Sequence, residues 1–378
     1  MMTHRERTLA VLNYQPYDRL PLVHFGFWEE TLEKWAAEGH LSDEEADSWT
    51  DGNAFDRSIS AKLGFDFNWM TSIYPYYDRY GIGLVPPFEE LVVEERPDGT
   101  LLVQNVDGVI VLEKRGVRTI PAEVDHLLKD RASWETHYLP RLQHSSEWVD
   151  LQALTEAQKA AKEEDIPVGV YCGSMIGRIR EWCGLVGLSY IMADDEGLLD
   201  EMIDTYADLC YWVIDNVLAM GARFDFGHFW EDMAFRNGPL INPAIFERKL
   251  GPHYTRIVKL LNNHGINIVS LDCDGKIDKL IPTWLHAGVN TMFPIEVGTW
   301  GASIAPWRKQ YGPEIRGVGG MDKRVFAQDR AAVDAEVQRL KPLVELGGYI
   351  PCPDHRLAPD SKWENVLYYC DRMRQVFG

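Results

Sequence analysis

The chain has 378 residues, of which 46% are hydrophobic and 25% are charged, and its formal net charge is −20. Nucleic acids and anionic membranes select basic surfaces, so this charge argues against both as partners and disfavours a substrate with many carboxylates. Six cysteines without a CxxC pair predict reduced thiols in a cytoplasmic protein. No apolar run is long enough for a membrane span, and the first residues lack the apolar stretch expected of a signal peptide.

Short apolar runs recur along the chain, separated by longer amphipathic stretches. Several runs are apolar at nearly every position, which is typical of parallel strands that are covered on both faces. The eight runs span residues 20–26, 64–70, 166–173, 224–230, 266–273, 289–297, 315–321 and 346–352.

Amphipathic helices are predicted between these runs, for example at residues 243–265 and 330–347, which end at glycines where helices often stop. Further helices are predicted at residues 154–165 and 198–222. Eight strands that alternate with helices predict a (β/α)8 TIM barrel, with residues 1–378 as a single domain. An open doubly wound sheet is the alternative, which the count of eight disfavours without excluding.

One interval, residues 71–165, breaks the alternation of strands and helices. Within it, residues 89–116 have the short apolar segments of a strand meander, with turn signals at PDG and DG. We therefore predict a small antiparallel β insertion around residues 84–118 that covers one end of the barrel.

The barrel prediction directs attention to residues that follow the strands, because barrels of this kind carry their chemistry there. Cys273 follows the fifth strand, Glu296 the sixth and His355 the eighth. Thiolate, carboxylate and imidazole all bind zinc, and three protein ligands leave a fourth position for a reacting group. We therefore predict a zinc site from these three residues. Taken singly, a cysteine at a strand end is more often a small core residue, and a lone glutamate or histidine there is explained equally well by loop hydrogen bonding.

Other polar and aromatic residues follow the same strand ends. His228, Glu231 and Asp322 are candidate catalytic groups, as ligand, general base or proton carrier. Substrate-binding candidates at the rim are Phe27, Trp28, Tyr171, Trp230 and Arg324. The structural alternatives are aromatic packing against the barrel mouth and capping of a helix by Asp322.

Five segments, in this order, resemble the uroporphyrinogen decarboxylase superfamily. RERTLAVLNYQPYDRLPL (5–22) is similar to its first helix and the approach to strand one. Four further segments resemble its corrinoid methyltransferase-like branch, at residues 238–254, 271–298, 317–327 and 347–369. The resemblance covers nearly the whole chain and implies a (β/α)8 barrel.

The resemblance also separates two activities. True uroporphyrinogen decarboxylases carry two arginines in the loop after strand one, where this chain reads HFGFWEE (24–30). The two glutamates would repel an octacarboxylate, so tetrapyrrole decarboxylation is disfavoured. The methyltransferase branch instead binds zinc, which acts there on a thiol or on the heteroatom of a methyl donor.

Zinc ligands of that branch map onto this chain by position. The cysteine of its HxC element falls on Cys273 and its last cysteine on His355, while Glu296 matches a carboxylate of cobalamin-independent methionine synthase. Leu271 stands where the HxC histidine would be, which removes one ligand. The residues that can complete the set are Asp272, Asp274, His228 and Glu231.

The leading hypothesis is a zinc-dependent methyltransferase that moves a methyl group between a small methylated compound and a separate corrinoid-binding protein. An aryl methyl ether or a methylamine-like molecule suits the aromatic rim. One alternative is a metal-free decarboxylase that uses His355 and an Asp as acid–base groups. Another is a non-catalytic barrel that binds a ligand or a corrinoid subunit. The oligomeric state is open, and a homodimer is one candidate.

Overall fold

A computed structural model describes residues 1–73, 82–114 and 121–378, without the side chains of residues 161 and 164. The strands, numbered along the chain, are β1 (Val23–His24), β2 (Phe67–Asn68), β3 (Leu91–Glu95), β4 (Thr100–Gln104), β5 (Val109–Lys114), β6 (Ala122–His126), β7 (Gly169–Tyr171), β8 (Phe226–Trp230), β9 (Ala234–Phe235), β10 (Gly238–Pro239), β11 (Ile268–Asp272), β12 (Thr291–Ile295), β13 (Arg316–Met321) and β14 (Tyr349–Pro353).

The α-helices are α1 (His4–Leu12), α2 (Glu29–Ala37), α3 (Asp43–Asp47), α4 (Ala54–Leu63), α5 (Trp69–Ile73), α6 (Arg131–Ser133), α7 (Leu151–Glu164), α8 (Gly177–Asp194), α9 (Glu196–Ala219), α10 (Pro243–Asn263), α11 (Ile281–Ala287), α12 (Val297–Trp300), α13 (Ile304–Tyr311), α14 (Arg330–Val344) and α15 (Trp363–Phe377). A π-helical turn spans Trp134–Tyr138. Short 3-10 helices span Leu139–Arg141, Ser146–Trp148, Gly312–Glu314 and Lys323–Ala327. No helix in the described ranges is both long and apolar enough to cross a membrane.

All eight predicted runs contain a strand that pairs in parallel with a neighbour. Six form one sheet in the order β14-β13-β12-β11-β8-β7, and β1 pairs with β2. Just beyond β1 and β14, Phe27 forms a parallel bridge with Leu357. Almost every residue of the six-stranded sheet is buried, as continuous apolar runs predict for strands covered on both faces. The prediction of an α/β fold around parallel strands is therefore confirmed.

Aromatic rings join the β1–β2 pair to the six-stranded sheet in the interior. The ring centroids of Phe25, next to β1, and Phe293, on β12, lie 4.6 Å apart. Trp69, next to β2, stacks on Phe226 of β8 at 5.7 Å. Fully buried aromatic side chains contribute large apolar areas, so these contacts hold the β1–β2 pair against the six-stranded sheet.

Helix α10 shows how the outer layer forms. Its buried residues recur every three or four positions, from Phe246 through Leu250 and Tyr254 to Leu261, which makes one apolar stripe. The Asn242 side chain accepts a hydrogen bond from the amide of Ala244 and caps the first turn. The four helices predicted from periodicity all occur, as α7, α9, α10 and α14.

The predicted insertion is a four-stranded antiparallel sheet in the order β3-β4-β5-β6. Its turns lie at Gly99 and Gly108, whose φ angles are 80° and 75°, so the PDG and DG signals are confirmed. Residues 115–118 of the predicted insertion lie outside the described residues. Strand β6 was not predicted, because four of its five residues are exposed and carry no apolar alternation.

Candidate functional site

Three carboxylates meet where β8 and β11 end. The two strands pair with Trp230 opposite Asp272, so the residues that follow them emerge side by side. One carboxylate oxygen from each of Asp232, Asp272 and Asp274 lies within 4.8 Å of the other two. Over residues 1–73, 82–114 and 121–378, no other three His, Cys, Asp or Glu side chains meet in this way. We call these three residues the acidic cluster.

The backbone of the acidic cluster is held in a demanding conformation. Asp232 has a φ of 44°, in the left-handed region that a residue with a side chain rarely adopts. Its Oδ1 accepts a hydrogen bond of 2.8 Å from the amide of Asp274, which links the loop after β8 to the loop after β11. Such backbone strain concentrates at functional sites, where the surrounding structure enforces it.

Burial and mutual repulsion change the protonation of the acidic cluster. Burial raises the pKa of Asp272 well above its usual range, and Asp232 raises it further. Burial also raises the pKa of Asp274 to about 8, with Asp232 and Glu296 adding to the effect. Like charges brought together out of water favour the neutral form, unless a cation compensates them. The acidic cluster therefore holds protons near neutral pH and would release them to a bound cation.

Glu296 lies beside the acidic cluster, directly after β12. Its Oε2 accepts a hydrogen bond of 2.5 Å from the amide of Gly275, and its Oε1 accepts one of 2.7 Å from the hydroxyl of Thr299. Gly275 has a φ of 85°, and a Cβ atom there would clash with the carbonyl of Ala234. Only glycine fits such a position without strain. Glu296 and Gly275 together fix the loop that carries Asp274.

Cys273 lies between two members of the acidic cluster in sequence, but its sulfur has a different partner. Its Sγ accepts a hydrogen bond of 3.3 Å from the amide of Met233. Burial raises the pKa of the thiol well above its usual range, and Asp232 raises it further. Cys273 and Asp274 lie just beyond the end of β11, and the carboxylates of Asp272 and Asp274 meet while the thiol between them turns to Met233.

His355 borders the acidic cluster from the loop after β14. Its Nε2 lies 3.8 Å from Oδ2 of Asp274, and its ring stacks on Trp28 with centroids 5.7 Å apart. Burial lowers the pKa of His355 to about 3, with Lys323 and Arg356 adding to the effect. The imidazole is therefore neutral, which is the form that binds metals.

The predicted zinc ligands are thus only partly brought together. None of the three belongs to the group of ligand atoms that meet: Glu296 and His355 border the acidic cluster, and the sulfur of Cys273 accepts its hydrogen bond from Met233. A zinc site made of these three residues stays a prediction. Asp272 and Asp274, which the sequence offered only to complete that set, form the group together with Asp232.

Lys323 and Asp354 connect the loops next to the acidic cluster. Lys323 donates a hydrogen bond of 2.8 Å from Nζ to the carbonyl of Arg356. Burial lowers the pKa of Lys323, although Asp354 and Asp274 oppose this. Asp354 accepts hydrogen bonds from the amides of Gly298, at 2.6 Å, and Lys323, at 3.3 Å. These contacts tie together the loops that follow β12, β13 and β14.

Glu231, predicted as a catalytic group, holds the start of a helix. Its carboxylate accepts hydrogen bonds from the amides of Met175 at 2.7 Å, Ile176 at 3.1 Å and Gly177 at 3.0 Å. The Tyr254 hydroxyl of α10 donates to it as well. Amides at a helix start lack partners within the helix and attract negative charge, so Glu231 anchors α8. Its catalytic role stays a prediction.

The other two catalytic candidates also have local partners. His228 is buried within β8, and its Nδ1 lies 3.2 Å from the Ser270 hydroxyl. Burial lowers the pKa of His228 to about 3. Asp322 caps the 3-10 helix Lys323–Ala327, and its carboxylate accepts hydrogen bonds of 2.8 and 2.7 Å from the Arg324 guanidinium. The Arg324 side chain is mostly exposed, whereas that of Asp322 is mostly buried beneath it.

The aromatic candidates divide into rim and core residues. Trp28 is half-buried and stacks on His355, and Trp230 is half-buried with the Arg178 guanidinium 5.8 Å from its ring centroid. Phe27 is buried among core rings, and Tyr171 is buried in β7. Burial raises the pKa of Tyr171. Trp28 and Trp230 are therefore the aromatic candidates that remain partly accessible.

Comparisons with known proteins identify a fold. No family model matches the chain, and no curated protein matches its sequence. A methyltransferase from Methanosarcina mazei is similar in structure with a TM-score of 0.62 and 15% identity, over 99% of this chain and 99% of that one. A B12-independent methionine synthase from Shewanella sp. W3-18-1, in complex with selenomethionine, is matched over 94% of this chain and 98% of that one, at 10% identity and a TM-score of 0.49. The chain therefore shares its fold, over its full length, with the Methanosarcina methyltransferase.

Proposed function

We propose that this protein is a metal-dependent methyltransferase that moves a methyl group between a small methylated compound and a corrinoid-binding protein. The observation that carries the proposal is the acidic cluster at the carboxyl ends of β8 and β11, since barrel enzymes place their chemistry at this edge. The full-length similarity of fold to a methyltransferase supports the reaction class. The sequence resemblance to the corrinoid methyltransferase-like branch supports the partner.

The proposal includes a closed (β/α)8 barrel. The bridge between Phe27 and Leu357 connects the first and last of the eight parallel strands. On the other side, Trp69 stacks on Phe226, which brings the segment after β2 next to β8, the strand that pairs with β7. Closure would gather all eight strand ends around one mouth, with the acidic cluster and His355 on its rim.

The donor set fits a divalent cation. Asp232, Asp272 and Asp274 would hold it, with Glu296 and His355 alongside as further ligands. Zinc accepts carboxylate and imidazole ligands, while a set dominated by carboxylates also suits magnesium or manganese. When bound, such an ion supplies Lewis acidity toward the heteroatom that carries or receives the methyl group.

The chain's own residues would orient the substrate and keep water away from it. Trp28 and Trp230 offer flat apolar surfaces beside the acidic cluster, which suits an aryl methyl ether or a methylamine-like compound. The neutral ring of His355 stays in place by stacking on Trp28. Glu231 keeps the loop after β7 against the end of β8, so the mouth has a fixed shape on that side.

The direct test is methyl transfer followed by corrinoid absorbance. The protein, loaded with zinc or manganese, is mixed with a methylated corrinoid-binding protein and a panel of phenols, amines and thiols. We expect a spectral change with at least one acceptor, its loss in Asp274→Asn, and its retention in Asp215→Asn, an exposed aspartate on α9. No spectral change with any acceptor in the metal-loaded protein would refute the proposal.

A further inference from the structure

Two arginines at the edge of the sheet where β12, β13 and β14 begin have no carboxylate partner. Arg316 is the first residue of β13, and Arg308 lies on α13. Both are half-buried, and among the described residues neither takes part in an ion pair. Carboxylates are plentiful in this chain, where acidic residues outnumber basic ones by 58 to 38. A guanidinium is always charged, so it is costly to bury without a counter-ion.

Backbone carbonyls accept hydrogen bonds from part of each guanidinium group. Arg308 donates three such bonds, at 2.7 to 3.1 Å. Arg316 donates two, to the carbonyls of Leu12 at 2.6 Å and Glu314 at 3.3 Å. Leu12 is the last residue of α1, and the last carbonyls of a helix lack partners within it, so Arg316 also holds this helix end. The five bonds use half of the ten N–H groups that two guanidinium groups carry, and the other half is left for a ligand or for water.

Tyr14 brings the two positive charges together. The guanidinium carbons of Arg308 and Arg316 lie 5.3 and 5.5 Å from the centroid of its ring. Its φ of 58° lies in the left-handed region that a bulky residue rarely adopts, and its hydroxyl donates a hydrogen bond of 2.6 Å to the carbonyl of Pro313. A Cβ atom at Gly348 would clash with the ring, so the ring lies directly against the backbone before β14. Backbone strain of this kind concentrates at functional sites.

A cleft of about 520 Å³ opens beside these charges, within the range of about 300–1,000 Å³ that is usual for ligand sites. Its polar lining comes from Tyr14, Asn290, Glu314 and Arg316. The strands of this sheet are parallel, and Asn290 immediately precedes β12, so the cleft lies at the opposite edge of the sheet from the acidic cluster. The cleft is therefore separate from the site of the proposed function.

We propose that this cleft binds a phosphate monoester, with Arg316 on the phosphate group and the organic part within the cleft. A phosphate monoester carries a charge of about −1.5 to −2 at neutral pH, which matches two guanidinium groups, whereas a carboxylate carries a single negative charge. Phosphate oxygens accept two parallel hydrogen bonds from the guanidinium fork. Glu314 opposes the ligand, because its carboxylate lines the same cleft.

The test compares phosphate probes with a carboxylate. Titration calorimetry on the full chain measures the dissociation constants of phenyl phosphate, inorganic phosphate and benzoate, for the wild type, Arg316→Gln, Glu314→Gln and Arg223→Gln. Arg223 is an exposed arginine that precedes β8 at the same edge of the sheet, and it serves as the matched control. We expect the wild type to bind phenyl phosphate at about 1 mM or tighter, and at least about 10-fold more tightly than either other probe.

The variants should separate the site from other anion contacts. Arg316→Gln should weaken the binding of phenyl phosphate by about 10-fold or more. Glu314→Gln, at an exposed position, should strengthen it by about 2- to 5-fold, and Arg223→Gln should behave as the wild type. If Arg316→Gln does not fold because it loses the bond to Leu12, Arg316→Lys replaces it, since lysine keeps the charge and loses the fork, and a reduced affinity is then expected.

No binding of phenyl phosphate by the wild type would overturn the proposal, because the arginines would then serve only the ends of helices. Binding that persists unchanged in Arg316→Gln would also overturn it, because the phosphate would then lie elsewhere, for example on a metal at the acidic cluster. Equal affinity for inorganic phosphate would contradict the assignment to an ester, and equal affinity for benzoate would contradict the assignment to phosphate.

Discussion

Replacing Glu231 by glutamine tests whether this carboxylate anchors α8. Its Oε1 accepts hydrogen bonds from the Met175 amide and the Tyr254 hydroxyl, and its Oε2 accepts from the Ile176 and Gly177 amides. A glutamine side chain keeps one acceptor oxygen and turns an NH2 group toward the other two donors. Whichever oxygen is replaced, at least two buried donors lose their acceptor, and Oε2 also accepts a longer hydrogen bond of 3.5 Å from the Ser174 hydroxyl.

The expected loss of stability follows from that count. A buried donor without an acceptor costs about 1–3 kcal/mol, so Glu231→Gln should lower the free energy of unfolding by about 2–6 kcal/mol. The unfolding entropy of a 378-residue chain is about 0.8 kcal/mol/K near its midpoint, at about 2.1 cal/mol/K per residue. The melting temperature should therefore fall by about 3–8 °C.

Calorimetry or circular dichroism measures this shift, with Glu247→Gln as the control. Glu247 is an exposed glutamate on α10, where loss of charge should change the melting temperature by less than about 1 °C. Metal content of Glu231→Gln should equal that of the wild type, because Glu231 is not part of the acidic cluster. An unchanged melting temperature would refute the reasoning, since it would show that Glu231 already carries a proton and behaves as a neutral amide does.

Three further predictions concern the acidic cluster and its loops. Metal affinity should fall as the pH drops from 9 toward 6, because the pKa of Asp274 is raised to about 8 and its proton must leave before a cation binds. Metal titrations at several pH values measure this affinity, and an affinity that does not change with pH would contradict the prediction. Gly275→Ala should lower the free energy of unfolding by at least about 1 kcal/mol more than Gly301→Ala, because both glycines have left-handed backbones but only Gly275 is also packed against a carbonyl. Urea denaturation measures both free energies, and an equal decrease in the two variants would contradict this. Asp232→Gly should keep more thermal stability than Asp232→Ala in metal-free protein, since both lose the hydrogen bond to the Asp274 amide and only alanine keeps the strain of a φ of 44°, while both reduce metal affinity; equal melting temperatures would show that this φ is not strained.

The sequence predicted the parallel strands well because of how they are buried. Strands covered on both faces, such as β11 and β12, read as continuous apolar runs, and each run ends at the point where polar residues begin. That same feature located the rim residues. Strand β6 was missed for the opposite reason, since an exposed edge strand of polar residues has no apolar alternation to find.

The site was harder to predict because residues that are adjacent in the sequence have different partners in the fold. Cys273 attracted attention as the best zinc ligand by type, yet in LDCD the carboxylates that meet are those of Asp272 and Asp274, two positions apart. That spacing was visible in the sequence and is the signal that identifies the acidic cluster. Glu231 differs, because its partners lie on elements that are distant in sequence and meet only in the fold.

Metal content tests the central claim most directly. Elemental analysis of the purified protein, after exposure to zinc and manganese and removal of loosely bound ions, should give a stoichiometric divalent metal in the wild type and in Asp215→Asn. The metal should be lost in Asp272→Asn and Asp274→Asn, and its loss in Cys273→Ser would place the thiol in the ligand set as well. A wild type that takes up no metal would contradict the account and favour the metal-free decarboxylase or the non-catalytic barrel.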